Sequence, residues 1–187
     1  MKLIVGLGNP GRIYALSRHN IGFRILKDFA KERKIKFKKD KTQLYKKAEY
    51  TIEDKKIFFL LPLTYMNFSG QAVRAFLEKH KLNLKEILVI HDDMDLELGR
   101  LKLVAEGGSG GHRGVESIIQ CLGTSKFNRL KIGIGKPLNK EPRNFVLEKF
   151  STEEEAVIKS VIEKAKNAML SWVRQGIEKT MSVFNAR

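Results

Sequence analysis

The sequence has few cysteines and prolines and no long apolar stretch. Cys121 is the only cysteine, so the chain cannot form an internal disulfide or a cysteine-based zinc cluster, which fits a reducing cytoplasm. The four prolines do not gather into a linker. No stretch approaches the roughly 20 consecutive apolar residues that a membrane helix needs. Met1 to Val5 lead directly into Gly6 and Gly8, which predicts a first strand rather than an export signal. We therefore expect a cytoplasmic protein that makes no use of a membrane.

Acidic residues are scarce relative to basic ones. The 187-residue chain has 36 Lys and Arg against 21 Asp and Glu, which gives a formal net charge of +15 at pH 7. Such an excess favours a polyanionic partner, because each phosphate that a cation neutralises releases condensed counterions. Lysines that merely coat the surface, as in many thermophilic proteins, are the simpler explanation, and composition does not reject it. A nucleic acid and an anionic membrane surface are both polyanionic partners of this kind. Of the two, we favour nucleic acid.

The apolar pattern predicts one α/β domain over residues 1–187. A chain of this length with 42% hydrophobic residues can bury one core, and two full-sized domains would not fit. We expect a single-domain three-layer sandwich, in which helices flank a mixed, twisted sheet that contains one hairpin and an edge strand at 100–105. The predicted strands are 3–7, 44–52, 56–61, 87–90, 100–105 and 129–134, and apolar residues recur at helical spacing within 21–29, 72–77, 115–122 and 157–169.

Several residues predict where helices begin and end. Asn67 or Ser69 is placed to accept the first free N–H groups of the second helix. Gly123 is a natural C-terminal cap for the third helix. Ser151 to Glu154 resembles a capping box, and it precedes a long helix whose predicted apolar stripe begins at Val157.

The segment Gly6 to Gly11 matches the G-x-G-x-x-G pattern of dinucleotide-binding folds. In those folds the helix begins within the glycines, so that its N-terminus faces the pyrophosphate. Here helical spacing starts only around Arg18 to Ile21. We interpret the glycines as a tight loop that presents Asn9 at the end of the first strand, with dinucleotide binding as the alternative.

A histidine and a pair of carboxylates are candidates for acid–base chemistry. His19 lies in polar company at the start of the first helix, and Asp92 and Asp93 end the strand that begins at Ile87. If the two strand ends are neighbours, one carboxylate can orient the ring of His19 and stabilise its protonated form. No serine or cysteine nucleophile accompanies them, so water is the natural nucleophile and ester or amide hydrolysis the natural reaction. A magnesium site formed by Asp92, Asp93 and Asp95 is the alternative.

Two further segments carry polar side chains that suit ligand binding. Leu63 to Gly70 brings an amide, an aromatic ring and hydroxyls together before a helix. Asn67 is a candidate for recognising a peptide or ribose edge, and Tyr65 for stacking on an unpaired base. His112 follows a run of glycines that predicts a flexible loop.

Taken in order, these segments resemble the bacterial-type peptidyl-tRNA hydrolases along almost the whole chain. Five separated matches make the resemblance specific. They are Leu3 through Gly11 and Tyr14 to Arg18-His19-Asn20-Ile21-Gly22, Thr64 to Gly70, His91-Asp92, Gly107 through His112-Arg113-Gly114, and Ile132 to Gly135.

The resemblance implies a compact monomer that hydrolyses the ester between a peptide and the 3′-terminal ribose of tRNA, without metal or organic cofactor. It implies that His19 is the general base that activates water and that Asp92 orients it. It also implies that Asn9 distinguishes a charged free α-amino group from a neutral acylated one. The oxyanion would be met by an amide side chain or backbone N–H groups. The resemblance implies that Asn67, Tyr14 and Tyr65 contact the peptide or the tRNA end, with His112 in the glycine-rich loop beside them. The basic surface would bind the acceptor arm of peptidyl-tRNA.

The chain departs from the family pattern at two places. Arg113 stands where the family usually has Asn, so a permanently charged donor replaces a neutral amide. Lys131 matches one of two basic positions that hold the terminal tRNA phosphate, whereas Val104 stands at the other, and Lys102 is a candidate substitute. We include Arg113, Lys102 and Lys131 among the predicted substrate contacts. A catalytically silent relative that only binds RNA is the alternative to a hydrolase.

Overall fold

The computed structural model describes residues 1–186. No helix within this range is long and apolar enough to cross a membrane. Short 3-10 turns lie at Arg12–Tyr14, Arg18–Asn20, Met66–Phe68 and Leu84–Glu86. The strands are β1 (Lys2–Gly6), β2 (Lys38–Lys39), β3 (Tyr45–Ile52), β4 (Lys55–Pro62), β5 (Ile87–Asp93), β6 (Leu101–Val104) and β7 (Asn128–Gly133). The helices are α1 (Ile21–Glu32), α2 (Ser69–His80), α3 (Arg113–Leu122), α4 (Pro142–Leu147), α5 (Thr152–Gln175) and α6 (Ile177–Phe184).

These strands form a seven-stranded mixed sheet in the order β2-β3-β4-β1-β5-β7-β6. β1 is parallel to β4 and β5, and β5 is parallel to β7, so the four central strands run in one direction. β3 and β6 join on either side as antiparallel strands. The carboxyl ends of β4, β1, β5 and β7 therefore meet at one edge of the sheet, where open α/β folds place their ligands.

Helices cover both faces of the sheet, because buried apolar side chains point to alternate faces along the central strands. On one face Ile4 belongs to an apolar cluster with Phe29 of α1 and residues of α5. On the other face Val5 belongs to a cluster with Phe76 of α2 and Ile118 of α3. The predicted three-layer sandwich with a mixed sheet is confirmed.

Most locally predicted features are also confirmed. β3 and β4 form the hairpin, and β6 lies at the edge of the sheet. Gly123 ends α3 in the left-handed region with φ 68°. Ser151 and Glu154 form the capping box at the start of α5. Val157 is the exception within the predicted stripe, since its side chain is 40% exposed.

The predicted cap of α2 is wrong. α2 begins at Ser69 directly after a 3-10 turn, and among the described residues neither Asn67 nor Ser69 accepts its free N–H groups through a side chain. The N–H of Gly70 instead donates to Oγ of Ser117 in α3 at 3.0 Å. The sequence predicted an acceptor from residues adjacent in the chain, whereas the acceptor comes from α3, which packs alongside α2.

α1 approaches the sheet very closely at Gly22. A Cβ atom on Gly22 would lie 2.4 Å from the backbone oxygen of Ile90 and 2.5 Å from the nitrogen of Leu7. These distances leave no room for a methyl group, so the first turn of α1 rests directly on β1 and β5. Since His19 lies just before this turn, the contact sets the position of His19 relative to the strand ends.

Replacing Gly22 by Ala should lower the free energy of unfolding by about 1–3 kcal/mol, the usual cost of overpacking a core. Chemical denaturation would measure the change. Gly108→Ala is the matched control, because a Cβ atom there meets nothing within 4 Å. Equal unfolding midpoints for the two variants would contradict the close approach of α1.

Candidate active site

A cleft of about 500 Å³ lies at the carboxyl edge of the sheet. It is bounded by the segments that follow β1, β4 and β5, by the start of α3 and by α4. Eight of the residues predicted from the sequence line it: Asn9, Tyr14, His19, Tyr65, Asn67, Asp92, His112 and Arg113.

His19 and Asp92 form a buried pair in this cleft. β1 and β5 are neighbours, so the predicted proximity of His19 to a strand-end carboxylate is confirmed. Nδ1 of His19 lies 2.9 Å from both carboxylate oxygens of Asp92. Of the two candidate carboxylates, Asp92 faces the histidine, whereas Asp93 pairs with Lys131.

Arg18 anchors the 3-10 turn that carries His19. Its backbone N–H donates to the backbone oxygen of Glu148 at 2.9 Å. Its guanidinium donates two hydrogen bonds, of 3.0 and 2.6 Å, to the carboxylate of Glu154 and lies 4.2 Å from the ring centre of Phe145. Contacts to both α4 and α5 therefore hold the imidazole of His19 at the strand ends.

His112 is the second hydrogen-bond partner of Asp92. Its Nε2 lies 2.9 Å from Oδ1 of Asp92, and its Nδ1 accepts the N–H groups of Gly114 and Val115 at 3.1 and 3.2 Å. A ring nitrogen that accepts hydrogen bonds from two N–H groups carries no proton. Neutral His112 therefore has its proton on Nε2, and this N–H group donates a hydrogen bond to Asp92. His112 is thus also the N-cap of α3. Sequence reasoning predicted a substrate contact here and missed both of these roles.

Burial and pairing compete in setting the charges of these groups. Burial raises the pKa of Asp92, but the nearby charges and hydrogen bonds of His19 and His112 outweigh it and bring the pKa far below its usual range. Burial lowers the pKa of His112, and Asp92 offsets this only in part. Burial, aided by His112, also holds the pKa of His91 well below the usual value. At pH 7 Asp92 is therefore ionised, and His91 and His112 are neutral.

Asn9 is fixed in the loop after β1. Its N–H donates to Oδ1 of Asn20 at 2.8 Å, and Nδ2 of Asn20 donates to the backbone oxygen of Asn9 at 2.9 Å. Oδ1 of Asn9 accepts the N–H of Met66 at 2.8 Å, while its Nδ2 has no acceptor within residues 1–186 and is left for a ligand. Because α1 begins only at Ile21, beyond Gly11, its N-terminus does not face the glycine loop as a dinucleotide site requires.

Other predicted residues lie outside the cleft, and some cleft residues were not predicted. Lys102 and Lys131 are in register on β6 and β7, where Lys102 is exposed and Lys131 lies 2.5 Å from Asp93. No sequence motif marked the cleft residues on and beside α4, because their position depends on how that helix packs. The cleft residues that sequence reasoning missed include His91, Glu141 and Arg143.

The ligand atoms of His19, Asp92 and His112 all lie within 4.8 Å of one another, so this trio could also hold a metal ion. In the structure the two rings instead hydrogen-bond to the carboxylate between them, which satisfies the carboxylate and one nitrogen of each ring. The alternative magnesium site has no support from the geometry: within residues 1–186, Asp92, Asp93 and Asp95 do not form one of the groups whose ligand atoms converge, and Asp93 and Asp95 pair with separate lysines.

The fold and the site together define a hydrolytic enzyme of the α/β class, built around a carboxylate-oriented histidine. The family model described as peptidyl-tRNA hydrolase matches residues 3–187. A peptidyl-tRNA hydrolase of Pseudothermotoga lettingae is 45% identical over 187 residues, covering 100% of this chain and 97% of the relative. The chain belongs to the peptidyl-tRNA hydrolase family.

Further relatives agree in sequence and in structure. The peptidyl-tRNA hydrolase of Aquifex aeolicus is 44% identical over 188 residues and covers 99% of this chain and 96% of its own. A crystal structure of the peptidyl-tRNA hydrolase from Acinetobacter baumannii superposes with a TM-score of 0.93 at 36% identity, covering 100% of this chain and 95% of that one. The similarity therefore extends over the complete sandwich.

Lowering the pH from about 8 to about 5.5 should reduce the free energy of unfolding. The folded-state pKa values of His91 and His112 are depressed, so the unfolded chain binds more protons. Their stabilisation is complete above about pH 6.5 and is lost as the pH falls further, by up to about 1.4 kcal/mol per pH unit for each histidine. Urea denaturation at each pH would measure it. His91→Gln should give a shallower slope, and equal slopes would contradict a neutral buried His91.

Proposed function

We propose that this protein hydrolyses the ester between the peptide and the 3′-terminal ribose of peptidyl-tRNA, using a water molecule that His19 activates. The observation that carries the proposal is the 2.9 Å contact between His19 and Asp92 in an open cleft. The names of the relatives, all peptidyl-tRNA hydrolases, supply the substrate class. The proposal includes a monomeric cytoplasmic enzyme that needs neither metal nor organic cofactor.

In the proposed reaction His19 is the general base. The ionised carboxylate of Asp92 accepts a hydrogen bond from Nδ1–H of His19. Nε2 of His19, which is unbonded to any group of residues 1–186, is then free to accept a proton from water. The water oxygen attacks the ester carbonyl, and the ionised carboxylate stabilises the imidazolium that forms. The tetrahedral intermediate then collapses, the ester C–O bond breaks, and the imidazolium returns its proton to the 3′ oxygen of the ribose.

The oxyanion of that intermediate needs donors. Asn67 lies at the cleft in the turn before α2, and its side chain is exposed. Its amide is therefore suited to donate to the developing charge or to the adjoining peptide. The ring of Tyr65, 59% exposed, and that of Tyr14 offer surfaces on which the terminal base or a peptide side chain can stack.

Asn9 gives the proposed enzyme its preference for acylated substrates. Because Oδ1 of Asn9 is engaged by Met66, the amide presents a donor, Nδ2, to the cleft. A donor is suited to the carbonyl oxygen of an N-acyl group and opposes a charged α-ammonium group, which is itself only a donor.

Basic residues around the cleft suit the phosphates of the tRNA. Arg113 lines the cleft at the first residue of α3, where it can reach a phosphate or a peptide carbonyl. Lys102 and Lys131 lie next to each other across β6 and β7. We assign these two lysines to the backbone of the tRNA end.

Replacing His19 by Ala should lower the turnover of N-acetylaminoacyl-tRNA by about 10²–10⁴-fold, the usual contribution of a general base. Affinity for deacylated tRNA should be nearly unchanged. The assay follows release of the labelled acyl group in the presence of a chelator, which also tests the absence of a metal requirement.

His80→Gln is the matched control, because His80 ends α2 and is not among the residues that line the cleft. It should retain turnover. Equal rates for wild type and His19→Ala would place the base elsewhere, and binding of tRNA without any release would point to a silent RNA-binding relative.

Replacing Asn9 by Asp retains an acceptor for the N–H of Met66 and removes the donor. We expect kcat/KM on N-acetylaminoacyl-tRNA to fall about 5- to 100-fold, in line with the roughly 1–3 kcal/mol that it costs to leave a buried polar group without its hydrogen-bond partner. The ratio of rates on acylated and free aminoacyl-tRNA should fall as well. A changed rate with an unchanged ratio would show that Asn9 has no part in discrimination.

A further inference from the structure

The most basic part of the chain lies away from the cleft. Residues 31–47 contain nine lysines and arginines and only two acidic residues. Both acids are already paired outside the segment, Glu32 with Lys166 and Asp40 with Lys79. Of the nine cations, only Lys47 forms an ion pair within residues 1–186, with Glu49 at 3.5 Å. The segment therefore carries a concentrated positive charge that the described protein does not neutralise.

The chain turns so that these cations face outward together. After α1, Lys34 adopts φ 55°, and the N–H of Ile35 donates to the backbone oxygen of Ala30 at 2.8 Å. Ile35 and Phe37 then pack against the core, while Lys36 and the residues on either side of this pair are exposed. The alternation leaves lysines on the outer side.

The outward cations line a groove of about 620 Å³. A concave surface lined by one sign of charge concentrates the electrostatic potential and attracts counter-ions. Lysines on an edge strand also prevent pairing with the sheet of another molecule. That role accounts only for the lysines of β2 and not for the other cations of the groove. The charged residues of the groove are Arg33, Lys34, Lys36, Lys38, Lys47 and Glu49.

The groove is suited to phosphates rather than to bases. Its one aromatic lining residue, Tyr50, packs edge-on against Phe29 with ring centres 6.1 Å apart. Like charges are crowded along the lining, where four lysines and one arginine accompany a single acidic residue, Glu49. A ligand that brings several negative charges would relieve this repulsion.

The groove and the cleft lie at opposite ends of one helix. The 3-10 turn that carries His19 directly precedes α1, and Arg33 directly follows the 12 residues of the helix. A helix of this length spans about 18 Å. Over such a distance a double-stranded nucleic acid presents roughly ten phosphates. One RNA whose 3′ end occupies the cleft can therefore also reach the groove.

We propose that the basic groove formed by Arg33, Lys34, Lys36, Lys38 and Lys47 is a second RNA-binding site that holds the phosphate backbone of a paired arm of the substrate tRNA. This proposal rests on the proposed function, since the substrate is what brings tRNA to the enzyme. It adds a contact remote from the reacting ester, which contributes affinity and leaves the chemistry to the cleft.

The test compares two triple variants of the whole protein. The groove variant is Lys34→Gln, Lys36→Gln and Lys38→Gln. Of these positions only Lys34 has a positive φ, of 55°, and glutamine can adopt such a conformation, as Gln43 does with φ 59°. The matched control is Lys159→Gln, Lys164→Gln and Lys179→Gln on α5 and α6, where all three lysines are exposed. Working at about 0.15 M salt screens charges beyond about 8 Å, so effects of net charge alone are small.

Affinity for deacylated tRNA should fall about tenfold or more in the groove variant and much less in the control. The slope of log affinity against log salt should become shallower by about two to three in the groove variant. Both variants should hydrolyse a short N-acetylaminoacyl oligonucleotide, which reaches only the cleft, at the wild-type rate. Equal losses of tRNA affinity in the two variants would overturn the proposal.

Unchanged tRNA affinity with lost binding to vesicles of anionic lipid would also overturn the proposal and assign the groove to a membrane surface. Failure of the wild-type protein to hydrolyse the short oligonucleotide would instead count against the proposed function. The tRNA-binding comparison does not depend on turnover, so the two failures are distinguishable.

Discussion

The rest of the structure depends on the buried negative charge of Asp92. A carboxylate that is 2% exposed is costly unless it is paired and hydrogen-bonded. Two imidazoles supply the pairing, each at 2.9 Å. His19 precedes α1 on one face of the sheet, and His112 begins α3 on the other. The carboxylate at the end of β5 therefore joins both helical layers at the edge of the sheet where the cleft lies.

The two histidines share one partner and have different chemical states, because their backbone surroundings differ. The start of α3 donates two N–H groups to His112, which fixes its proton on Nε2 and holds it neutral. His19 meets Asp92 through Nδ1, so its other nitrogen has no partner within residues 1–186. A single carboxylate thus holds one ring as a fixed donor and, in the proposed mechanism, orients the other as a base, and residue type alone does not distinguish them.

Much of the fold could be predicted because it depends on local pattern. The β-prone runs on either side of residues 53–55, Gly123 at the end of α3 and the capping box of α5 each act within a few residues. Proximity of His19 and Asp92 followed from the rule that parallel strand ends meet at one edge. The cap of α2 by Ser117 and the groove that the cations beyond α1 form with residues of β3 could not be predicted. They depend on which helices pack together and on how the chain turns, information that no short stretch of sequence contains.

His112 connects the integrity of one helix to the reacting groups. Its ring holds the first free N–H groups of α3 and, through its other nitrogen, the carboxylate that orients His19. If the first turn of α3 frays, the ring of His112 loses its fixed tautomer. Asp92 then loses one of the two imidazoles that pair with its buried charge. Helix ends open far more often than whole domains unfold. If His19 and Asp92 act as we propose, a brief local opening of this turn would stop the reaction while the sheet stays intact, and heat would abolish activity well before the core melts.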